Sequence, residues 1–167
     1  SLLPVLVKAN PRAIKAIREA DVIVVGPGNL YSSVLPNLLV PEIKRAFLAS
    51  HAKKVYVANL FTQPGHTDGF SVTDFLNVME QYTEKNIFDY VIYNTSTVDP
   101  VLIKEYAGAV GSAVGFSGEQ KKDKKYIGTS LASSKVRQST GADPIAKIRN
   151  PFLHDAHKLA RAVMKLI

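Results

Sequence analysis

Two polar loops, each following a short apolar strand, hold most of the side chains in this chain that could do chemistry. Asn59, Thr62, Gln63, His66, Thr67 and Asp68 fall within ten residues, spaced by Pro64 and Gly65. Amides and hydroxyls gathered straight after a buried strand suit hydrogen bonding to a polar ligand better than proton abstraction. A second segment has the same design: Val22-Ile23-Val24-Val25 runs into Gly26-Pro27-Gly28-Asn29-Leu30-Tyr31-Ser32-Ser33. Gly26 and Gly28 would let the backbone turn sharply and come close to a bound group. Asn29, Tyr31, Ser32 and Ser33 are neutral partners for phosphate or sugar oxygens. A helix start near Ser32 and Ser33 would add free N–H groups for an anion. Neither a P-loop lysine nor a G-x-G-x-x-G turn is present, and a Gly-Pro-Gly turn is also plain turn chemistry.

For Asp68 two roles stay open: holding a Mg²⁺ that accompanies phosphates, or capping the Gly69–Ser71 turn or the helix after it. His66 reads as an exposed loop imidazole rather than an acid, base or metal ligand. His154 and His157 are three apart, a metal-compatible spacing without an evident third ligand, so a solvated helix start is expected there. His51 reads as a linker residue. Asn94-Thr95-Ser96-Thr97 repeats the strand-then-polar-loop layout and would line the same crevice.

These loops need a scaffold. Asn10 and Pro11 open a helix to Ala20. The β-branched run Val22–Val25 suits a strand buried on both faces, as parallel sheets require. Pro41 starts a second helix through Leu48, and Lys53–Ala58 is the next strand. Ser71 caps a helix over Val72–Tyr82 with Val72, Phe75, Leu76, Val78 and Met79 on its apolar stripe. Asp89–Tyr93 is a third strand, Asp99-Pro100 begins a helix to Tyr106, and Asp155 caps a closing helix. Strands alternating with helices imply right-handed βαβ units and a parallel sheet in a three-layer α/β fold. Loops after such strands emerge at one edge, where α/β proteins bind ligands. Between Gly108 and Asn150, short strands are expected near Ala113–Phe116 and Tyr126–Leu131.

Composition sets outer bounds. The 167 residues are 46% hydrophobic, enough for one core, and contain no cysteine for a disulfide, thiolate nucleophile or thiolate ligand. Apolar runs are too short for a bilayer span and no signal-peptide pattern opens the chain, so a cytoplasmic protein without a membrane partner is expected. The net charge of +7 is uneven: residues 121–167 hold 11 Lys/Arg against 3 Asp/Glu. Its run Lys121-Lys122-Asp123-Lys124-Lys125 has no interleaved aromatic platform and no nucleic-acid motif, so nucleic acid is not the expected partner.

The segments Ala20–Pro41, Val55–Ser71 and Asp89–Asn94, with His154-Asp155-Ala156-His157-Lys158-Leu159-Ala160, closely resemble the YvcK/CofD-like family. The family comprises gluconeogenesis factors and, in its enzymatic branch, 2-phospho-L-lactate transferases. The resemblance implies a Rossmann-like three-layer sandwich with a mostly parallel sheet and a nucleotide or nucleotide-sugar ligand. Gly26, Gly28, Asn29, Tyr31, Ser32, Ser33, Asn37, Asn59, Thr62, Gln63, Thr67 and Asp68 match its ligand-binding motifs. The Gly-Pro-Gly-Asn-Leu-Tyr form is similar to the regulatory branch, which binds UDP-sugars and is tied to carbon metabolism, cell shape and envelope synthesis.

The transferase branch implies the alternative: Mg²⁺-dependent transfer of a phospholactyl group from a guanosine diphosphate carrier to a deazaflavin, with Asp68 helping to place the ion. The family's glycine-rich nucleotide loop has no counterpart here, so the 167 residues are expected to form a single α/β domain, the C-terminal portion of a longer CofD-like domain. His66 stands where the family usually has Glu, and Leu153 where many regulatory members have Arg. A homodimer using the basic last quarter is a further expectation.

Overall fold

A computed structural model describes residues 7–106, 110–116, 123, 125–136 and 150–167. Helix α1 (Pro11–Glu19) has Pro at its first position, and the Asn10 side chain accepts from the Arg12 N–H, satisfying one of the free donors of the first turn. Strand β1 (Val22–Val25) comes next, then a π-helical turn (Leu30–Val34) running into the short α2 (Leu35–Leu38). After these come α3 (Pro41–Ala49), β2 (Lys53–Val57) and α4 (Val72–Tyr82). Helix α4 opens on a reciprocal capping box, in which Ser71 Oγ accepts from the Asp74 N–H and the Asp74 carboxylate accepts from the Ser71 N–H. The chain continues through β3 (Tyr90–Asn94), α5 (Pro100–Glu105) and β4 (Tyr126–Thr129). It closes with β5 (Ala132–Val136), β6 (Phe152–His154) and α6 (Ala156–Met164), capped by Asp155.

The four strands β1-β2-β3-β4 form a parallel sheet in sequence order, in register at Val24 with Val55, Tyr56 with Val91 and Ile92 with Ile127. β5 and β6 make a separate antiparallel ribbon. Alternation along β2 and β3 splits the core into two layers. Tyr56, Ala58, Val91 and Tyr93 face Leu35, Leu38, Phe47, Val72, Phe75, Leu76 and Met79. Val55, Val57 and Ile92 face Leu102 and Ile103 of α5, Leu159, Ala162, Val163 and Leu166 of the closing α6 segment, and Phe152 of the ribbon. The fold is therefore the Rossmann-like α/β sandwich expected from the sequence.

The expected strand at Ala113–Phe116 is reduced to a single antiparallel bridge between Phe61 and Ala113. That segment instead zips against the loop after β2, where Thr62 N–H donates to Ser112 O and Val114 N–H to Leu60 O. Tyr126–Leu131 shortens to β4. The Gly26–Ser33 loop is partly helical, because Asn29 caps the π-turn through the Ser32 N–H.

Among the described residues no helix is long and apolar enough to cross a membrane. Lys54 is buried on β2, where its ammonium donates to the carbonyls of Ser50 (2.6 Å) and Ala52 (3.5 Å) and lies 5.8 Å from the Phe47 ring centre. Phe75 is fully buried in the α4 layer. Phe75→Ala is expected to lower unfolding free energy by about 3–5 kcal/mol through the cavity it leaves, as measured by urea denaturation.

Candidate functional site

The loops after β1, β2 and β3 emerge together because the strands are parallel and in register. Asn59 Nδ2 donates to Gly28 O at 2.9 Å, and Asn29 Nδ2 donates to Gln63 Oε1. Two amide side chains thus clasp the first two loops to each other. Gly28 sits tight against the π-turn, since an added Cβ would stand 3.2 Å from Val34 Cγ2. No such crowding surrounds Gly26, and among the described residues the left-handed glycines are Gly65 (φ +76°), in the second loop, and Gly69 (φ +71°), just after it.

Tyr31, Ser32 and Ser33 are exposed at the start of the π-turn. Asn37, one turn on, donates to the carbonyls of Ser33 (2.8 Å) and Val34 (3.3 Å). π-turns of this kind are rare and recur at functional sites.

In the second loop the hydroxyls point inward. Thr62 is 2% exposed, and its Oγ1 accepts from the Ser112 N–H at 2.9 Å. Thr67 is 3% exposed and accepts from the Gln63 N–H at 2.8 Å. Asp68 lies on the surface, where Oδ2 accepts from the Gly65 N–H at 2.7 Å. Thr62, Thr67 and Asp68 therefore shape the loop, while Asn29, Asn59 and Gln63 join it to its neighbour. His66 is exposed. No cluster of three or more His, Asp or Glu suited to a metal occurs among the described residues.

The third loop carries Asn94, whose Oδ1 accepts from Ser96 and from the backbone of Leu131 and Ala132 at the head of the ribbon. From the ribbon, His154 reaches back to the second loop, its Nε2 lying 3.2 Å from Ala58 O. His154 is thus a half-buried strand residue rather than part of a solvated helix start, and His157 is exposed on α6. Phe152 stacks on Phe61 with ring centres 4.6 Å apart, fixing the ribbon on the same loop.

Sequence reasoning missed these ribbon contacts, along with Ser112. The ribbon residues Ala132-Ser133-Ser134-Lys135-Val136 lack an apolar pattern, and Ser112 meets Thr62 across 50 positions.

The two clasped loops, residues 26–33 and 59–68, contain no lysine or arginine. The polar groups these two loops carry are amides, hydroxyls and backbone groups, with Asp68 and His66 at the surface. An open cleft of about 420 Å³ lies at the opposite, amino-terminal edge of the sheet, lined by Arg18, Asp21, Ser50 and His51 among others. It shares no residue with the clasped loops.

The family model described as 2-phospho-L-lactate transferase CofD matches residues 2–137. A gluconeogenesis factor of Bacillus subtilis is 32% identical over 167 residues, which cover 99% of this chain and 49% of that protein. A gluconeogenesis factor of Listeria innocua is 46% identical over 100 residues, covering 60% of this chain and 31% of that one. A crystal structure of a UPF0052 family member from Bacillus halodurans superposes with a TM-score of 0.80 at 30% identity, covering 97% of this chain and 48% of that one. The chain thus spans about a third to a half of the length of these relatives.

At Gly111 an added Cβ would collide with Thr62 Oγ1 and stand 3.3 Å from Thr62 O. Gly111→Ala is therefore expected to lower thermal stability, with loss of amide-exchange protection concentrated at Thr62 and Ser112. Burial lowers the His154 pKa below its ordinary value, partly offset by the bond to Ala58 O. A histidine harder to protonate when folded contributes its full stability above the unfolded pKa, about 6.5, and loses it as pH falls. Between pH 7 and 5 the melting temperature should fall more in the native chain than in His154→Gln, whose amide can still donate to Ala58 O.

Proposed function

The chain belongs to the CofD family, and on that ground we propose that it binds a nucleotide-sugar of the UDP-sugar class at the carboxyl edge of its sheet. It acts by ligand-dependent interaction, as a regulator tied to carbon metabolism and cell shape, rather than by turnover. One observation carries the proposal: the amide clasp of Asn29 with Gln63 and of Asn59 with Gly28. The clasp presents neutral hydrogen-bonding groups from two loops on one rim. The lining suits the hydroxyls and base edges of a nucleotide-sugar, and the exposed Tyr31, Ser32 and Ser33 stand beside it. Asn37, Thr62, Thr67 and Asp68 complete the proposed ligand-binding set by holding the two loops in shape.

The names of the relatives from Bacillus and Listeria, both gluconeogenesis factors, favour a regulator over a transferase. Transfer of a phospholactyl group is the competing activity, suggested by the family model's description. Regulation of this kind needs only a population shift between ligand-bound and free surfaces, with affinity for the two states differing by a few kcal/mol.

Calorimetric titration with UDP-glucose and UDP-N-acetylglucosamine tests the proposal. Saturable binding is expected, weakened in Asn29→Ala by about fivefold, the loss of roughly 1 kcal/mol that removing one hydrogen-bonding group brings. Absence of binding to either sugar nucleotide would contradict it. Phospholactyl transfer in the presence of Mg²⁺ would instead establish the enzymatic activity.

A further inference from the structure

Asn94 is the last residue of β3, and its side chain makes more hydrogen bonds than any local turn needs. Oδ1 accepts from the Ser96 N–H (3.2 Å) and hydroxyl (2.7 Å), and from the backbone N–H groups of Leu131 (2.9 Å) and Ala132 (3.2 Å). Nδ2 donates to Ser96 O at 2.7 Å. The bonds to Ser96 are an ordinary Asx turn. Those to Leu131 and Ala132 span 37 and 38 positions and are not local.

Leu131 is fully buried, so its N–H has no water to turn to if Asn94 is removed. The carbonyl of Leu131 accepts from the Asp155 N–H at 2.7 Å, and Ala132 pairs with His154, whose ring meets Ala58 O. One amide oxygen therefore anchors a path of contacts from the third loop, through both strands of the ribbon, to the end of β2.

We infer that Asn94 is a positioning residue: it fixes the β5–β6 ribbon across the carboxyl edge of the sheet and so forms the third wall of the ligand site. The wall itself stands on the hydrogen bonds. Its consequence for affinity rests on the nucleotide-sugar proposal above.

Amide exchange at Leu131 and Ala132, followed by NMR on the full 167-residue chain, tests the wall directly. Asn94→Ala is expected to speed exchange at both amides by about tenfold or more. Asn94→Asp keeps the accepting oxygen but loses the local Nδ2 bond to Ser96 O, so exchange at Leu131 and Ala132 should stay slower than in Asn94→Ala. UDP-glucose affinity of Asn94→Ala should fall by about fivefold, because a loosened wall must be ordered on binding.

Unchanged exchange in Asn94→Ala, or exchange in Asn94→Asp as fast as in Asn94→Ala, would overturn the inference. Fast exchange with affinity within about twofold of native would overturn the positioning role. If Asn94→Ala does not fold, retained protection at Leu131 and Ala132 in Asn94→Asp supports the oxygen's role, and its complete loss in a folded Asn94→Asp refutes it. Failure of the native chain to bind UDP-glucose would count against the nucleotide-sugar proposal, while the exchange rates still decide the wall.

Discussion

β2 is held on every side. It pairs with β1 on one edge and β3 on the other, and Val55, Tyr56 and Val57 are at most 1% exposed. A parallel strand so enclosed fixes its own direction and that of its neighbours. Shifting it by one residue would send Tyr56 into the layer built for Val55 and Val57. The loops after β1, β2 and β3 are consequently delivered to one rim, whatever their own conformational preferences. The rest of the candidate site depends on that constraint.

On the rim, hydrogen bonds join the segments that the strands bring near. Asn29 meets Gln63, Asn59 meets Gly28, His154 meets Ala58, and Asn94 meets Leu131 and Ala132. Most of these bonds link an amide or imidazole side chain to a backbone group, a pairing that fixes loop shape without placing charge on the rim. Inward-facing Thr62 and Thr67 shape the second loop from below. Among the described residues, the bonds that join these loops are therefore made by neutral groups. The basic last quarter of the sequence is not concentrated in the two clasped loops.

Much of the fold was legible because its signals are local. Four β-branched residues in a row marked β1, Ser71 marked the start of α4, and Asp155 marked the start of α6. The burial of β1 expected on both faces is not met, since β1 is an outer strand of the sheet and Val24 is 44% exposed. The ribbon was not legible: Phe152–His154 is three residues long, and Ala132–Val136 is largely polar. Their strand character comes from pairing with each other and from Phe152 packing on Phe61, contacts across long sequence separations. The site was legible by residue type and not by role. Asn29, Asn59 and Gln63 stood out as hydrogen-bonding groups, yet nothing local said they would bond across loops. Thr62 and Thr67 matched the same pattern but turn inward to neighbours at Ser112 and Gln63. The π-turn went unread because Gly-Pro-Gly-Asn looks like a loop, and only the Asn29 cap commits Leu30–Val34 to a helical turn.

Mapping of backbone amide shifts by NMR, as UDP-glucose is added to the chain, tests most directly whether the three loops make one ligand site. Perturbations gathered at Gly28–Ser33, Asn59–Gln63 and Asn94–Ser96 are the predicted result. Perturbations confined to Arg18, Ser50 and His51 in the cleft at the opposite edge would contradict it.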